Sequence, residues 1–265
     1  TTLRLVYAIA RYKPDVHIIK LGSMGTYGTP DTPIPEGWFE CHYGGRQDKM
    51  LFPRKPHSVY HLSKVHDSDL LAFACRVWGL RATDLHQGIV YGISTDETTH
   101  DSLYPRFCYD DMFGTALNRF VTQAVAGVPL TVYGSGGQTR GWLNIRDTLQ
   151  CVRLAMENPS QAGEYRIFNQ FTEQYSVQDI AHKVKNAAAD LRIHVNINHI
   201  PNPRTEQEDH FYEAEHTELL KLGLQPHYLD ETVIQEMLIY VQKYKDNINR
   251  EQIMPKVDWV KGAIC

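Results

Sequence analysis

The chain is organised around the stretch Tyr60-His61-Leu62-Ser63-Lys64. It lies in a segment with the pattern of a helix, for which Ser58 is the expected N-cap and Gly79 the expected end. Residues four apart lie one turn apart on one helix face, so Tyr60 and Lys64 would be neighbours. A free tyrosine has a pKa of about 10, and a nearby ammonium lowers it by favouring the phenolate. Such a pair is suited to take a proton from a hydroxyl while a hydride leaves the same carbon.

This spacing alone fits equally well an amphipathic helix with a half-buried tyrosine and a solvated lysine, so the surrounding pattern matters. The Tyr60 helix is expected to lie between a buried strand over residues 16–21 and another over 80–91, after a long loop over 24–57. The remaining predicted elements are helices at 3–12, 110–127, 145–157, 177–191, 215–222 and 232–248, and strands at 130–133, 165–169 and 193–200. This alternation predicts an α/β fold with a doubly wound parallel sheet, in which ligands bind beyond the carboxyl ends of the strands.

Composition excludes several classes of function. The chain has 265 residues, of which 42% are hydrophobic, and this is enough for one or two domains with a core. The net charge is -4 and the basic residues are scattered, which argues against binding nucleic acid through a basic patch. No apolar run is long enough for a membrane span. Five widely spaced cysteines without a CxxC pair indicate reduced thiols, and His57 and His61 lack a third ligand, so no metal site is expected.

Several motifs together resemble the extended short-chain dehydrogenase/reductases that act on nucleotide sugars. They are Leu21-Gly22-Ser23 at a strand end, Tyr60 with Lys64, residues 87–92, residues 137–142 with Arg146-Asp147, and residues 212–223. The resemblance runs over nearly the whole chain and implies a Rossmann-type sheet, a smaller α/β domain that binds the nucleotide sugar, and NAD as cofactor.

Within that family the chain is most similar to the branch of UDP-sulfoquinovose synthases. The stretches that carry this likeness are residues 22–30, 60–68, 113–120 and 168–174. The likeness implies that UDP-glucose and sulfite are converted to UDP-sulfoquinovose, for sulfolipid biosynthesis, through a 4-keto intermediate and with tightly bound NAD. Two alternatives stay open: another NAD-dependent nucleotide-sugar 4-epimerase or dehydratase, and a non-catalytic nucleotide-binding remnant.

The resemblance also assigns roles to individual residues. The implied catalytic residues are Ser23, Tyr60 and Lys64, with His61 as a candidate for moving the proton on carbon 5. The implied cofactor-binding residues are Tyr60, Lys64, Gln87 and Val90. The implied substrate-binding residues are Gln87, Thr115, Arg119, Gln138, Thr139, Arg140, Arg204, Glu206 and Asp209. Arginines suit this role because a planar guanidinium makes paired charge-assisted hydrogen bonds to a diphosphate.

The chain departs from the family pattern at three places. Ordinary 4,6-dehydratases carry an Asp-Glu pair after the Ser/Thr, where this chain has Met24 and Gly25. Ser23 stands where threonine is usual in the plant enzyme, and both hydroxyls can donate to a sugar oxygen. The glycine fingerprint for the NAD pyrophosphate is missing and is expected upstream of Thr1, together with the first βαβ units and a sulfite-binding arginine. We therefore expect the 265-residue chain to be inactive by itself.

The predicted domain division follows from the same resemblance. Residues 1–92 and 143–170 are expected to form a partial NAD-binding domain, residues 93–142 and 171–250 a UDP-sugar domain, and residues 251–265 a tail. Relatives imply a homodimer through the helix that bears the tyrosine, and plastid stroma or bacterial cytoplasm as the compartment.

Overall fold

A computed structural model of the chain describes residues 2–110, 113–202 and 211–254. The chain divides into two compact units that interleave in sequence. Unit 1 contains the described residues within 1–88, 147–172 and 211–226, and unit 2 those within 89–146, 173–210 and 227–265.

Helices and strands alternate along the described residues, as expected for an α/β protein. The helices are α1 (Thr2–Tyr12), α2 (Val59–Trp78), α3 (Ala116–Ala126), α4 (Ile145–Glu157), α5 (Val177–Asp190), α6 (Glu218–Lys221) and α7 (Glu231–Lys243). The strands are β1 (His17–Leu21), β2 (Trp38–Tyr43), β3 (Arg46–Leu51), β4 (Arg81–Gln87), β5 (Ile89–Tyr91), β6 (Leu130–Tyr133), β7 (Thr139–Asn144), β8 (Tyr165–Gln170), β9 (Glu173–Ser176) and β10 (Ile197–Ile200).

Unit 1 is built on a parallel sheet with strand order β1-β4-β8. The register pairs Lys20 with Asp84 and Gln87 with Gln170, so the carboxyl ends of β4 and β8 lie side by side. Successive side chains of a strand point to opposite faces, and each face of this sheet has its own apolar cluster. One contains Val6, Leu71, Ala74, Cys75, Leu80, Ala82, Tyr165 and Ile167, and the other Leu85, Cys151, Leu154, Phe168, Leu219 and Leu224. Helices α1 and α2 therefore cover one face and α4 and α6 the other, which is the doubly wound arrangement.

Unit 2 contains two small sheets and a helical core. Strand β7 lies between β5 and β9 in one sheet, and β6 pairs in parallel with β10 in the other. Helices α3, α5 and α7 pack together, and their buried faces form one apolar cluster with Tyr91, Leu130, Val132 and Trp142. This cluster gives unit 2 a hydrophobic core of its own.

The structure differs from the predicted elements in several places. The predicted loop over 24–57 contains the antiparallel hairpin of β2 and β3, whose two turn residues Gly44 and Gly45 have φ of 59° and 75°. The strand predicted over 80–91 is interrupted at Gly88, and its parts join different sheets. Strands β7 and β9 were not predicted, and α3 begins at Ala116 because Thr115 caps it.

The segment over 211–226 belongs to the compact unit of β1, β4 and β8, whereas the sequence assigned it to the UDP-sugar domain. The physical reason is that Leu219 and Leu224 pack into the apolar cluster of Leu85 and Phe168. The functional identity of the two units stays a prediction. No helix of the part of the chain that the structure describes is both long and apolar enough to cross a membrane.

Candidate active site

The end of β1 presents Ser23 in an extended conformation, with φ of -155° and ψ of 138°. Its side-chain oxygen accepts a hydrogen bond from the backbone N–H of Gly25 at 3.2 Å and so caps the short 3-10 turn Met24–Thr26. A hydroxyl has one proton to donate and two lone pairs. The cap uses one lone pair, so Ser23 can still donate its proton to a ligand at the carboxyl edge of the sheet.

The N-terminus of α2 presents Tyr60 and Lys64 one turn apart, as predicted. The Ser58 side chain accepts a hydrogen bond from the backbone N–H of His61 and caps the helix, and Gly79 ends it in the left-handed conformation with φ of 69°. Tyr60 is 61% exposed, which leaves its phenol open to a substrate. The Lys64 ammonium lies 5.6 Å from the centre of the Tyr60 ring.

Lys64 joins the helix to the strand that leads to Ser23. Its Nζ donates to the backbone carbonyl of Leu21 at 2.9 Å, two residues before Ser23. Ser23, Tyr60 and Lys64 are therefore placed at the adjacent ends of β1 and α2.

His61 packs directly on the turn that follows Ser23. A Cβ built on Gly25 would lie only 2.3 Å from His61 Nε2, so the imidazole occupies the space that the glycine leaves open. Nδ1 of His61 lies 3.0 Å from the Ser58 hydroxyl, and the Tyr60 and His61 rings are 5.2 Å apart. Among the predicted residues, His61 thus lies close to both Tyr60 and the Ser23 turn.

Gln87 and Val90 lie at the end of β4 and in β5. Gln87 pairs with Gln170 in register, and the Gln170 side chain is fully buried. Val90 is partly buried and pairs with Leu143 of β7. Gln87 belongs to unit 1 and Val90 to unit 2.

Two of the predicted substrate residues of unit 2 already have partners within that unit. Thr115 is the N-cap of α3, and its side chain accepts from the backbone N–H of Asn118. Arg119 is 7% exposed, and its guanidinium donates to the Tyr133 hydroxyl at 3.2 Å and the Thr131 carbonyl at 3.1 Å. It also lies over the Tyr133 ring, 4.6 Å from the centre.

The remaining predicted substrate residues lie near Tyr133 or outside the described residues. The Gln138 side chain is buried, with its Nε2 3.5 Å from the Tyr133 carbonyl, so Gln138 and Arg119 meet the same tyrosine. Thr139 and Arg140 begin β7, and both side chains donate to nearby backbone carbonyls. Arg204, Glu206 and Asp209 lie outside the described residues. The binding roles of all these residues stay predictions.

A buried polar network lies beneath the Tyr60 helix and was not predicted. It is centred on Asp84 of β4, which is fully buried. The Oδ2 of Asp84 accepts from the Lys20 ammonium at 2.9 Å and from the Ser68 and Tyr165 hydroxyls at 2.7 Å each. His86 Nε2 lies 3.4 Å from the same oxygen. The available signal was a lysine, an aspartate and a histidine within strands that otherwise read as buried.

The network shifts the pKa of each of its titratable members. Burial would raise the pKa of Asp84, but the neighbouring His86 and Lys20 hold it well below its usual range. Burial lowers the pKa of His86 and, against the attraction of Asp84, that of Lys20. Burial and the Asp84 charge raise the pKa of Tyr165. We infer an ionised Asp84 and a neutral Tyr165 at neutral pH.

No group of three or more His, Cys, Asp or Glu side chains is placed to hold a metal ion within residues 2–110, 113–202 and 211–254. Four cysteines of these segments, Cys41, Cys75, Cys108 and Cys151, are free thiols. Burial raises the pKa of Cys75 to about 11 and that of Cys151 to about 12, so both stay protonated and unreactive at neutral pH.

The chain is similar to proteins that are named as enzymes of UDP-sugars. The chain is 52% identical over 264 residues to the chloroplastic UDP-sulfoquinovose synthase of Spinacia oleracea, and the match covers 99% of this chain and 55% of that protein. It is 43% identical to the UDP-sulfoquinovose synthase of Sulfolobus acidocaldarius, over 98% of this chain and 67% of that protein. The chain thus spans about half the length of the spinach relative.

Solved structures support the fold. The UDP-glucuronic acid 4-epimerase of Bacillus cereus, in complex with UDP-glucuronic acid and NAD, matches with a TM-score of 0.68 at 20% identity, over 92% of this chain and 66% of that one. The dTDP-glucose 4,6-dehydratase DesIV of Streptomyces venezuelae matches with a TM-score of 0.65 at 16% identity, over 92% and 65% of the two chains. The model of the NAD dependent epimerase/dehydratase family matches residues 1–169, which is more than half of the chain, and the chain therefore belongs to that family.

Proposed function

We propose that the protein to which this chain belongs converts UDP-glucose and sulfite to UDP-sulfoquinovose, with NAD as a catalytic cofactor. The observation that carries the proposal is the 52% identity to the spinach synthase across 99% of the chain. The placing of Ser23, Tyr60 and Lys64 at the adjacent ends of β1 and α2 supports it.

The residues at this edge of unit 1 fit an NAD cofactor. The Lys64 ammonium already donates to an uncharged oxygen, the Leu21 carbonyl, and a ribose hydroxyl offers the same kind of acceptor. Tyr60, Lys64 and Gln87 are the residues of unit 1 that we assign to hold it. When bound, NAD would supply reversible hydride transfer at carbon 4 of the sugar.

Tyr60 acts as the base for the sugar 4-hydroxyl in this proposal. Its exposed phenol oxygen takes the hydroxyl proton, and the Lys64 ammonium lies on the same helix face, 5.6 Å from the centre of the ring. Ser23 donates a hydrogen bond to the same sugar oxygen and holds it next to Tyr60. Tyr60 returns the proton to the same oxygen in the final reduction of the 4-ketone.

The 4-ketone acidifies the proton on carbon 5, so the carbon-6 hydroxyl leaves as water and sulfite adds to carbon 6 through its sulfur. The balance is UDP-glucose plus hydrogensulfite to UDP-sulfoquinovose plus water, with no net oxidation. We assign the carbon-5 proton to His61 because its imidazole lies close to both Tyr60 and the Ser23 turn. Loss of solvent deuterium exchange at carbon 5 in His61→Gln protein is the test of this role, and unchanged exchange would refute it.

The partners and compartment complete the proposal. UDP-glucose and sulfite are the substrates, and we propose a homodimer through the outer face of α2. Apolar side chains on that helix are exposed, namely Val59, Leu62, Phe73 and Val77. Sedimentation of the protein as a monomer at micromolar concentration would contradict the dimer. The spinach relative is named chloroplastic, and we propose plastid stroma or bacterial cytoplasm as the compartment.

The test is turnover of UDP-glucose by the complete protein with NAD, with and without sulfite, followed by mass spectrometry. A sulfonated product that forms only with sulfite is the expected result. UDP-galactose without sulfite would favour the 4-epimerase alternative, and nucleotide binding without any product would favour a non-catalytic remnant. Tyr60→Phe should lower the rate by about 10²–10⁴-fold, because it removes the general base. Tyr43→Phe, at the exposed tip of the β2–β3 hairpin, is the matched control and should keep the full rate.

A further inference from the structure

The side chain of Lys20 in β1 extends beneath α2, the helix that bears Tyr60 and Lys64, and is largely buried. Its side chain is 11% exposed and its Nζ donates to three acceptors. They are Asp84 Oδ2 at 2.9 Å, the Ser68 hydroxyl at 2.8 Å and the backbone carbonyl of Lys64 at 3.4 Å. An ammonium has three protons, so all of them are used.

The contacts of Lys20 and Lys64 are reciprocal. Lys20 belongs to β1 and donates to the backbone of α2 at Lys64, while Lys64 belongs to α2 and donates to the backbone of β1 at Leu21. Two bonds therefore cross between the strand that leads to Ser23 and the helix turn that bears Tyr60. Together they fix both the distance between the two elements and their relative shift along the helix axis.

Asp84 keeps Lys20 in this position. The parallel register places Lys20 directly opposite Asp84, and Ser68 and Tyr165 hold the carboxylate from two further elements. Gly22 permits this packing, because a Cβ there would lie 2.3 Å from the other carboxylate oxygen. A buried ion pair is weak evidence for stability, since apolar residues of similar size often serve as well. A role beyond stability would explain why charges occupy these positions.

We propose that Lys20, held by Asp84, is a positioning residue that sets the place of Tyr60 and Lys64 relative to Ser23. The inference rests on the proposed function of that site. Lys20 does not touch the substrate in this scheme and acts only through the backbone of α2.

The distinguishing experiment compares Lys20→Met with the double variant Lys20→Met/Asp84→Asn in the complete protein. The single variant leaves a buried carboxylate without its cation, so its loss of activity could reflect poor folding. The double variant removes both charges, and the Asn amide can still bond to Ser68 and Tyr165. We expect kcat of the folded double variant to fall by about 10²-fold with KM for UDP-glucose changed less than about threefold, because the reacting groups are misplaced while binding persists. Recovery of kcat to the wild-type value would show that the pair only neutralises itself, and would overturn the proposal.

A second readout does not depend on turnover. Hydrogen exchange in the segment over residues 60–68 should be faster by at least about tenfold in the double variant, while exchange in β4 and β8 stays unchanged. Lys185→Met, which removes an exposed lysine of α5, is the matched control and should change neither exchange nor kcat. If the unmodified protein makes no sulfonated product, the proposed function fails and exchange alone decides the positioning role. Unchanged exchange over residues 60–68 would refute it. Lys20→Gln/Asp84→Asn, which pairs two amides, provides the same comparison if the first double variant does not fold.

Discussion

Ser23 has a glycine directly before it and another two residues after it, and a methyl group would meet different neighbours at each. At Gly22, a Cβ would lie 2.3 Å from Asp84 Oδ1 and 2.7 Å from a carbon of the His86 ring, and both residues are fully buried. At Gly25, it would meet the tip of the partly exposed His61 ring, which can rotate away.

We predict that Gly22→Ala lowers the free energy of unfolding by about 2–3 kcal/mol, because overpacking of a fixed core forces its neighbours to move. Gly25→Ala should cost less than about 1 kcal/mol, because a side chain that can rotate yields more easily. Urea unfolding followed by circular dichroism measures both values. Equal costs at the two positions would show that the Asp84 network is not as fixed as its hydrogen bonds indicate.

Residue-level prediction from the sequence succeeded where local spacing decides the geometry. The interval between Tyr60 and Lys64 is set by the helix itself, and Ser23 follows a strand end that apolar residues mark. The contact between Lys20 and Asp84 depends instead on the register of two strands that are 64 residues apart in sequence. Arg119 could not be recognised as buried, because its partners Thr131 and Tyr133 come from a separate strand.

At the scale of elements, the first turn of α2 depends on one capping residue. Ser58 accepts a hydrogen bond from the backbone N–H of His61 at 3.1 Å, and Tyr60 lies inside that turn. The cap therefore supports the segment that carries the proposed base.

We predict that Ser58→Ala costs about 1 kcal/mol of stability and loosens the first turn of α2, because an N-cap side chain satisfies an otherwise unpaired backbone N–H. Faster hydrogen exchange over residues 59–62 should accompany a lower kcat, and Ser58→Asp should restore both. Thr217→Ala is the matched control, since Thr217 is the N-cap residue of α6 and makes no side-chain capping bond. An unaltered exchange rate in Ser58→Ala would mean that tertiary packing, rather than the cap, holds this turn.

Long, periodic elements were predictable, and short paired strands were not. Helices α2, α4 and α5 lie within about two residues of their predicted limits. The residues that form their apolar faces and that end them lie within or next to each helix, so the local sequence predicts them. The β2–β3 hairpin has a local sequence signal, namely the two turn glycines between its strands, both of which have positive φ. The prolines of the surrounding loop obscured this signal. Strands β7 and β9 are short and exist through pairing, since β7 pairs with β5 on one side and with β9 on the other.

At the scale of the whole molecule, segments far apart in sequence are tied together by single polar side chains. In unit 1, the Glu36 carboxylate accepts from the backbone N–H of Asn169 at 3.2 Å and of Glu218 at 2.9 Å. The Asn169 side chain donates to the carbonyls of Pro35 and Glu215. Local sequence patterns do not indicate hydrogen bonds between distant segments. For this reason the membership of residues 211–226 in unit 1 could not be predicted.

Glu36 should make the stability of the chain depend on pH. Burial raises its pKa to about 7, against the opposing effect of the hydrogen bonds from Glu218 and Asn169, whereas an unfolded glutamate has a pKa of about 4.3. The folded chain therefore holds this proton more tightly than the unfolded chain. The resulting stabilisation is fully present below the unfolded pKa and is lost as the pH rises through about 7.

We predict that the stability of the wild type relative to Glu36→Gln falls by about 1–2 kcal/mol between pH 5 and pH 8, a figure reduced for the partial solvent exposure of the carboxyl. Urea unfolding of both proteins at the two pH values gives this difference, and the other titrating groups cancel because they are common to both. Glu213→Gln, which changes an exposed glutamate of the same segment that Glu36 contacts, should leave the pH dependence of the wild type intact. A difference that stays constant or grows toward pH 8 would mean that the backbone N–H groups outweigh burial and keep Glu36 ionised throughout.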